Sequence, residues 1–273
     1  MTAPLFHLEP GALAGASAGA EVVFDGAEAR HAAAAMRLAP GEAVLLADGS
    51  GTLGHGTVLA AAPDAVSVRL DAVAEEPAPT PALVLVQALA KGDRDLMAVQ
   101  AAVELGVDAV VPWEAERSIV RWKGPKAAKA RQKWADTARA AAKQARRARV
   151  PAVRDHVSGT AVAGLAWDDD GGRLVLVLHE DAEHGVSAVP AERLSAAVEI
   201  AVVVGPEGGI GPAELEARIR LSIGRLAAER LTALLRRRGV RIAGGLLVIL
   251  FGVWTLPGPH QALLMGHAGH TAS

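Results

Sequence analysis

Short apolar stretches separated by turn-forming residues characterise the first part of the chain. These short stretches predict strands at residues 20–24, 43–47, 56–59 and 65–70. A helix is predicted over residues 27–38, because apolar positions recur at helical spacing until Pro40-Gly41. Several short strands at this spacing are typical of a small barrel, so residues 1–76 are predicted to form a β-barrel domain.

The pattern changes after a proline-rich segment, Glu75 to Pro81, which predicts a stiff linker. Continuous apolar strands are then predicted at residues 83–87, 109–112, 174–178 and 198–204. Helices are predicted between them, at residues 93–105 and 126–147. Buried strands alternating with helices indicate a parallel α/β sheet, and residues 77–217 are predicted to form this second domain.

The last segment, residues 218–273, has a different pattern. Apolar residues at helical spacing predict an amphipathic helix over residues 212–235. Three consecutive arginines, Arg236 to Arg238, precede an uncharged apolar segment at residues 242–256. This segment is shorter than the ~20 residues of a spanning helix. Both a membrane-type segment and a buried core helix therefore stay open.

Composition excludes several kinds of catalytic and metal site but says little about the class of partner. The chain contains no cysteine, which excludes disulfides, thiolate metal sites and a cysteine nucleophile. The formal net charge of −2 gives no overall basic field that would attract nucleic acid. The first ten residues lack the pattern of a signal peptide, and a cytoplasmic location is expected.

The strongest motif is glycine-rich and follows a buried strand. The segment reads Gly205-Pro206-Glu207-Gly208-Gly209, and a helix is predicted to begin near Pro212. Glycines allow a backbone to approach a ligand closely, and ligands of parallel sheets bind beyond the strand ends. The alternative is a tight turn without a ligand, and this pattern alone does not decide between them.

Cations are concentrated in two other places. Lys91 and Arg94 follow the predicted strand 83–87, where they could hold phosphates or merely flank a helix start capped by Asp93. Residues 123–149 hold ten basic residues and a single acid, Asp136. Solvated charge runs usually mix signs, so this stretch indicates contact with a polyanion such as nucleic acid.

Two histidines lie where functional groups are often found. His31 stands on the predicted N-terminal helix between Arg30 and Arg37, where it could contact phosphate, act in catalysis or fill a structural position. His179-Glu180 follows the predicted strand 174–178, in the place of a ligand-binding loop.

Taken in order, these motifs resemble the RsmE family of ribosomal RNA uridine methyltransferases in the SPOUT superfamily. The resemblance covers about residues 4–217. It rests on Arg30-His31, Pro40-Gly41, Asp48-Gly49-Ser50-Gly51, Lys91-Gly92-Asp93-Arg94, Glu104-Leu105-Gly106-Val107, Glu116-Arg117-Ser118, Ala141-Ala142-Lys143-Gln144, Arg149-Val150-Pro151 and Gly205-Pro206-Glu207-Gly208-Gly209.

The resemblance implies a PUA-like barrel joined to an α/β domain with a trefoil knot, in a homodimer. It implies S-adenosylmethionine as cofactor and N3 of a uridine in 16S ribosomal RNA as the methylated atom, with no metal. The implied cofactor-binding residues are His179, Glu180, Gly205, Pro206, Glu207, Gly208 and Gly209. The implied RNA-binding residues are Arg30, His31, Arg37, Lys91, Arg94, Arg117, Lys143, Arg147 and Arg149. Arg94 and Glu207 are the catalytic candidates.

The C-terminal part departs from the family pattern. After Gly211 the family continues into a short strand, a Leu-Arg-Thr-Glu-Thr-Ala-like loop and a final helix that closes the knot. The nearest fragment here, Thr232-Ala233-Leu234, does not match. Two alternatives follow: a catalytically inactive RNA-binding protein whose knot stays incomplete, and a membrane-associated fusion with the tail in lipid.

Overall fold

A computed structural model describes residues 3–164, 172–179, 182, 185–217 and 222–223. The N-terminal part is a curled five-stranded sheet with the strand order β1-β3-β4-β5-β2. Its strands are β1 (Leu5–His7), β2 (Glu21–Asp25), β3 (Ala43–Ala47), β4 (Thr52–Ala61) and β5 (Ala65–Glu75). β1 and β3 are parallel and the other pairs are antiparallel. The predicted small barrel is confirmed.

The barrel closes around aromatic and aliphatic side chains. Phe6 and Phe24 stack with ring centroids 5.4 Å apart, and both are buried with Leu46 and Val68. The predicted N-terminal helix differs from the expectation. It consists of α1 (Gly26–Arg30) and a π-helical turn, His31–Ala35. The backbone N–H of Met36 donates to the carbonyl of His31 at 3.0 Å. A run of four alanines carries no side-chain signal that distinguishes this wider turn from an α-helix.

The second sheet has seven parallel strands. They are β6 (Ala82–Ala88), β7 (Ala109–Glu114), β8 (Ala152–Val153), β9 (Val157–Ser158), β10 (Arg173–Leu178), β11 (Glu199–Val204) and β12 (Ser222–Ile223). Their order is β12-β10-β11-β6-β7-β8, with β9 also paired to β7. The helices are α2 (Arg94–Glu104), α3 (Pro125–Gln144), α4 (Ala191–Ala196) and α5 (Pro212–Glu216). The predicted parallel α/β sheet is confirmed.

Each face of this sheet buries its own apolar layer, because side chains alternate along the strands. On one face, Leu83 and Leu85 of β6 pack with Trp134 of α3 and Val99 of α2. On the other face, Val84 and Val86 pack with Val162 of the 3-10 helix Gly159–Gly164. The continuous apolar strands of the sequence are therefore buried on both sides.

The barrel contacts α3 and the segment after it. Arg147 accepts from His7 through its carbonyl, with His7 Nε2 2.9 Å away, and Lys143 Nζ lies 2.7 Å from Glu28 Oε2 on α1. The Val150 amide donates to the Gly49 carbonyl at 2.9 Å. The division of the chain at residues 76 and 77 stays a prediction, although residues 76–81 form no helix or strand between β5 and β6.

The C-terminal predictions have mixed outcomes. The helix predicted over residues 212–235 is wrong in extent, because α5 ends at Glu216 and Ser222–Ile223 form β12. β12 pairs with the open edge of β10, with Val177 opposite Ser222 and Leu178 opposite Ile223. The apolar segment 242–256, Glu180 and the chain that would close a knot lie outside the described residues.

Within the described ranges, no helix is both long and apolar enough to cross a membrane. The same part of the chain contains no group of histidine and acidic side chains that could hold a metal ion.

Candidate functional site

The strand order indicates a ligand-binding crevice at the carboxyl ends of β6 and β11. From β6 the chain moves outward on one side to β7, whereas β10 and β11 lie on the other side. In open parallel sheets the loops on either side of such a reversal diverge and leave a crevice at the carboxyl ends of the strands. The loop after β6 begins at Leu89, and the loop after β11 is the glycine-rich segment 205–211. The two strongest sequence motifs therefore face each other.

An ion pair joins these two loops. Arg94 Nη1 lies 3.0 Å from Glu207 Oε1, and the two side chains are 62% and 22% exposed. Ion pairs this accessible to water add little to stability. Both catalytic candidates from the sequence thus meet at the mouth of the crevice.

A third loop, the one after β7, contacts the glycine-rich segment from the other side. Arg117 Nη1 donates to the Gly208 carbonyl at 3.0 Å. A Cβ at Gly208 would lie 3.3 Å from Arg117 Cβ, and one at Gly205 would lie 2.6 Å from Ile210 Cγ1. Gly209 has a φ of +76°, which L side chains rarely adopt. These glycines are required by the close packing of the loop.

The buried carboxylate of Glu214 joins the same two loops. Glu214 of α5 is 1% exposed. Its Oε1 accepts from the Glu116 amide at 2.7 Å, and its Oε2 accepts from the Gly211 amide at 3.0 Å. Hydrogen bonds to an ionised carboxylate are stronger than neutral ones. Glu214 therefore ties the β7 loop to the end of the glycine-rich segment.

The loop after β6 contacts α3 and leads into the first turn of α2. Lys133 of α3 lies 2.8 Å from Asp93 Oδ1, and both side chains are exposed. Asp95, on the first turn of α2, is buried, and this burial raises the pKa of its carboxyl. The Leu96 amide donates to Asp95 Oδ1 at 2.8 Å and limits that rise.

The structure brings most of the cofactor-binding candidates together. Gly205, Pro206, Glu207, Gly208 and Gly209 form one loop, and within the described chain the amides of Glu207 and Gly208 donate to no protein acceptor. His179 follows β10, the neighbour of β11, and is half-buried at the same edge of the sheet. Glu180 lies outside the described residues.

The RNA-binding candidates fall into two groups. The side chains of the first group are exposed to solvent. They lie on α1, on and just after its π-helical turn, at the start of α2 and on the loops at the crevice. This group consists of Arg30, His31, Arg37, Lys91, Arg94 and Arg117.

The second group, Lys143, Arg147 and Arg149, is engaged inside the molecule. Arg147 Nη1 donates to the carbonyls of Val103 at 3.0 Å and Val107 at 2.6 Å, with the side chain only 17% exposed. Lys143 pairs with Glu28, and Arg149 donates to the carbonyl of Glu76. RNA binding by these three residues stays a prediction, and their contacts favour a role in joining the barrel to the α/β domain.

Sequence reasoning missed Glu214 and Glu116. The signal for Glu214 was present, since a glutamate three residues after an N-cap can accept from the N-cap amide, and Gly211 and Glu214 have this spacing. The hydrogen bond to the Glu116 amide joins residues 98 positions apart. No local pattern indicates a contact over that separation.

Comparisons with known proteins agree with this arrangement. The family described as RNA methyltransferase domain matches residues 76–226, and the RNA methyltransferase PUA domain matches residues 24–71. A ribosomal RNA small subunit methyltransferase E from Mycobacterium bovis is 39% identical over 73% of this chain and 75% of its own length. The enzyme of that name from Bacillus subtilis is 31% identical over 70% of this chain and 75% of its own.

A solved structure shows the same fold. Ribosomal RNA small subunit methyltransferase E from Neisseria gonorrhoeae, bound to S-adenosyl methionine, superposes with a TM-score of 0.70. The match covers 87% of this chain and 98% of that one at 24% identity. The family matches over residues 24–71 and 76–226 identify the barrel and the parallel sheet as those of an RNA methyltransferase. On the identity with the curated relatives, the chain belongs to the ribosomal RNA small subunit methyltransferase E family, RsmE.

Proposed function

We propose that the protein transfers the methyl group of S-adenosylmethionine to N3 of a uridine in 16S ribosomal RNA. The observation that carries this proposal is the convergence of the segments after β6 and β7 on the loop 205–211, through Arg94 with Glu207 and Arg117 with Gly208. The names of the curated relatives and the cofactor of the Neisseria structure support the substrate and the methyl donor.

The residues at the crevice suit this cofactor chemically. The Glu207 and Gly208 amides can donate to a carboxylate or to an adenine nitrogen, and the Glu207 carboxylate can accept from ribose hydroxyls. Leu178, which is half-buried, provides apolar surface at the same edge. When bound, S-adenosylmethionine supplies an electrophilic methyl carbon. His179 and Glu180 are proposed to complete this pocket.

The chain's own contribution to the reaction is positioning and charge. Attack by the uridine nitrogen requires an in-line approach, which the three fixed loops can enforce. The N3 proton leaves to solvent water before or during transfer, and a nearby cation would stabilise the uridine anion that forms. Arg94 is proposed to provide this cation and Glu207 to hold Arg94 in place. The exposed cations Arg30, Arg37, Lys91 and Arg117, with His31, are proposed to hold the RNA.

The remaining expectations from the family resemblance are part of the proposal. We propose a homodimer acting on the small ribosomal subunit in the cytoplasm. The inactive RNA-binding protein remains the competing account, and it differs from the proposal at the first step, cofactor binding.

Isothermal titration of the full chain with S-adenosylmethionine tests that step. We expect micromolar binding that Gly205→Ala weakens at least tenfold, because the new Cβ would lie 2.6 Å from Ile210 Cγ1 and displace the loop. Gly164→Ala is the matched control, since a Cβ there meets nothing within 4 Å. Absence of binding to the unsubstituted chain would contradict the proposal and favour the inactive protein.

A further inference from the structure

The ten basic residues between positions 123 and 149 are not equivalent in the folded protein. Six of them make ion pairs or donate to backbone carbonyls within the chain: Arg131, Lys133, Lys143, Arg146, Arg147 and Arg149. The other four, Lys123, Lys126, Lys129 and Arg139, are exposed and form no ion pair within the described part of the chain.

The unpaired cations of α3 share one side of the helix. Its buried positions are Trp134, Ala138, Ala141 and Ala142. At 3.6 residues per turn, Lys126, Lys129 and Arg139 lie on the side away from this buried stripe. At 1.5 Å per residue they extend over about 20 Å of helix axis. We call these three residues the basic strip. Asp136 is the single acid on that side, and it accepts from Gln132 at 2.9 Å.

Two contacts place the strip relative to the rest of the molecule. Lys143, one turn beyond Arg139, pairs with Glu28 on α1 of the barrel, two residues before the exposed Arg30. Lys133, one turn beyond Lys129, pairs with Asp93, which lies between Lys91 and Arg94 at the crevice. Arg139 therefore lies between the barrel helix and the crevice, and Lys126 and Lys129 continue the strip past the crevice contact, away from the barrel.

We propose that the basic strip binds the phosphate backbone of the substrate RNA, with Arg139 between the barrel and the methylation site and Lys126 and Lys129 beyond that site. This inference rests on the proposed function, since it assumes an RNA substrate. Lysine and arginine that neutralise phosphates release counterions, so such a surface contributes salt-dependent affinity without reading sequence. In this part of the chain, RNA contact then falls to cations of α3 that face solvent rather than to Lys143, Arg147 and Arg149.

The test measures the salt dependence of binding to a 16S ribosomal RNA transcript, using the full chain and filter binding. In the triple variant Lys126→Gln, Lys129→Gln, Arg139→Gln, the slope of log K against log salt becomes flatter by about 2, because each lost phosphate contact removes about 0.7 to 0.9. Asp136→Asn changes affinity in the opposite direction and tightens binding. Arg131→Gln is the control, because Arg131 pairs with Asp155 and donates to the Val153 carbonyl.

Two readouts keep the inference separate from the proposed function. S-adenosylmethionine affinity and thermal unfolding of the triple variant should equal those of the unsubstituted chain, since the three side chains contact neither the crevice loops nor the core. An unchanged salt slope in the triple variant, or an equal change in Arg131→Gln, would contradict RNA binding by the basic strip. A triple variant that loses binding to polyglutamate but keeps its RNA slope would assign the strip to an acidic protein and also overturn it.

Discussion

The role of a single side chain in this protein depends on its surroundings rather than on its residue type. Arg94 and Arg147 are both arginines of the predicted RNA surface. Arg94 is 62% exposed at the mouth of the crevice, whereas Arg147 is 17% exposed and donates to two helix-end carbonyls. Sequence patterns located both residues in functional segments. They could not separate the two roles, because exposure depends on strands and helices far away in the chain.

His7 shows how burial at the domain contact produces a pH dependence. Its Nε2 donates to the Arg147 carbonyl at 2.9 Å, and burial lowers the pKa of the ring below its usual 6.5. Positive Arg139 and Lys143 also lower the pKa of His7, whereas the Arg147 hydrogen bond and Glu28 raise it. The buried Nδ1 has no partner within the described chain, so a second proton there would be unsolvated.

The sign of the effect follows from linkage. Because the folded pKa of His7 is lowered, the unfolded chain binds its proton first as the pH falls. The stability contributed by neutral His7 is present above about pH 6.5 and decreases below it. We predict that His7→Gln reduces the loss of melting temperature between about pH 7.5 and about pH 5.5. His55→Gln, at an exposed barrel position, is the control. An equal loss in the His7 variant and the unsubstituted chain would contradict this assignment.

At the scale of elements, the apolar pattern predicted the main strands and helices and missed the short ones. β6, β7, β10 and β11 are continuous apolar runs and were found within one or two residues. β8, β9 and β12 have two residues each, which is too short for any periodicity. Their existence depends on backbone partners offered by β7 and β10, so only the assembled sheet reveals them.

The hydrogen bonds by which Glu214 of α5 holds the β7 loop give a prediction at the scale of elements. Glu214→Ala leaves the amides of Glu116 and Gly211 without their carboxylate, which should cost about 1–3 kcal/mol of unfolding free energy per unsatisfied group. S-adenosylmethionine affinity should fall with it, because the glycine-rich loop loses its anchor. Glu214→Gln retains one acceptor oxygen and should recover part of the affinity.

Glu216→Ala is the matched control, since this glutamate lies on the same short helix and is exposed. Denaturant unfolding and calorimetry on the three variants separate the two effects. Full cofactor affinity in a destabilised Glu214→Ala variant would show that the tie serves the fold alone.

At the scale of the whole molecule, the barrel and the parallel sheet are joined by the cations that sequence reasoning assigned to RNA. Arg147 donates to the carbonyls of Val103 and Val107 and lies 3.4 Å from Asp108, while its own carbonyl accepts from His7. One residue therefore links the end of α2, the start of β7 and the barrel. The order of motifs predicted both domains and their family, but the way they pack together required coordinates.

We predict that Arg147→Lys destabilises the whole molecule by about 2–3 kcal/mol, because lysine cannot reproduce the forked hydrogen bonds of a guanidinium. The slope of RNA affinity against salt should stay unchanged, since the positive charge is retained and buried. Arg146→Lys, with its side chain exposed, provides the comparison. Unchanged stability in urea would contradict this role of Arg147 in joining the two domains.

The central claim is that the crevice between β6 and β11 methylates ribosomal RNA. The most direct measurement incubates the full chain with small ribosomal subunits and isotopically labelled S-adenosylmethionine, then digests the 16S RNA to nucleosides and separates them. The account predicts label in N3-methyluridine, and strong loss of that label in Arg94→Gln but not in Arg131→Gln. No label in RNA, or label in another nucleoside only, would contradict it.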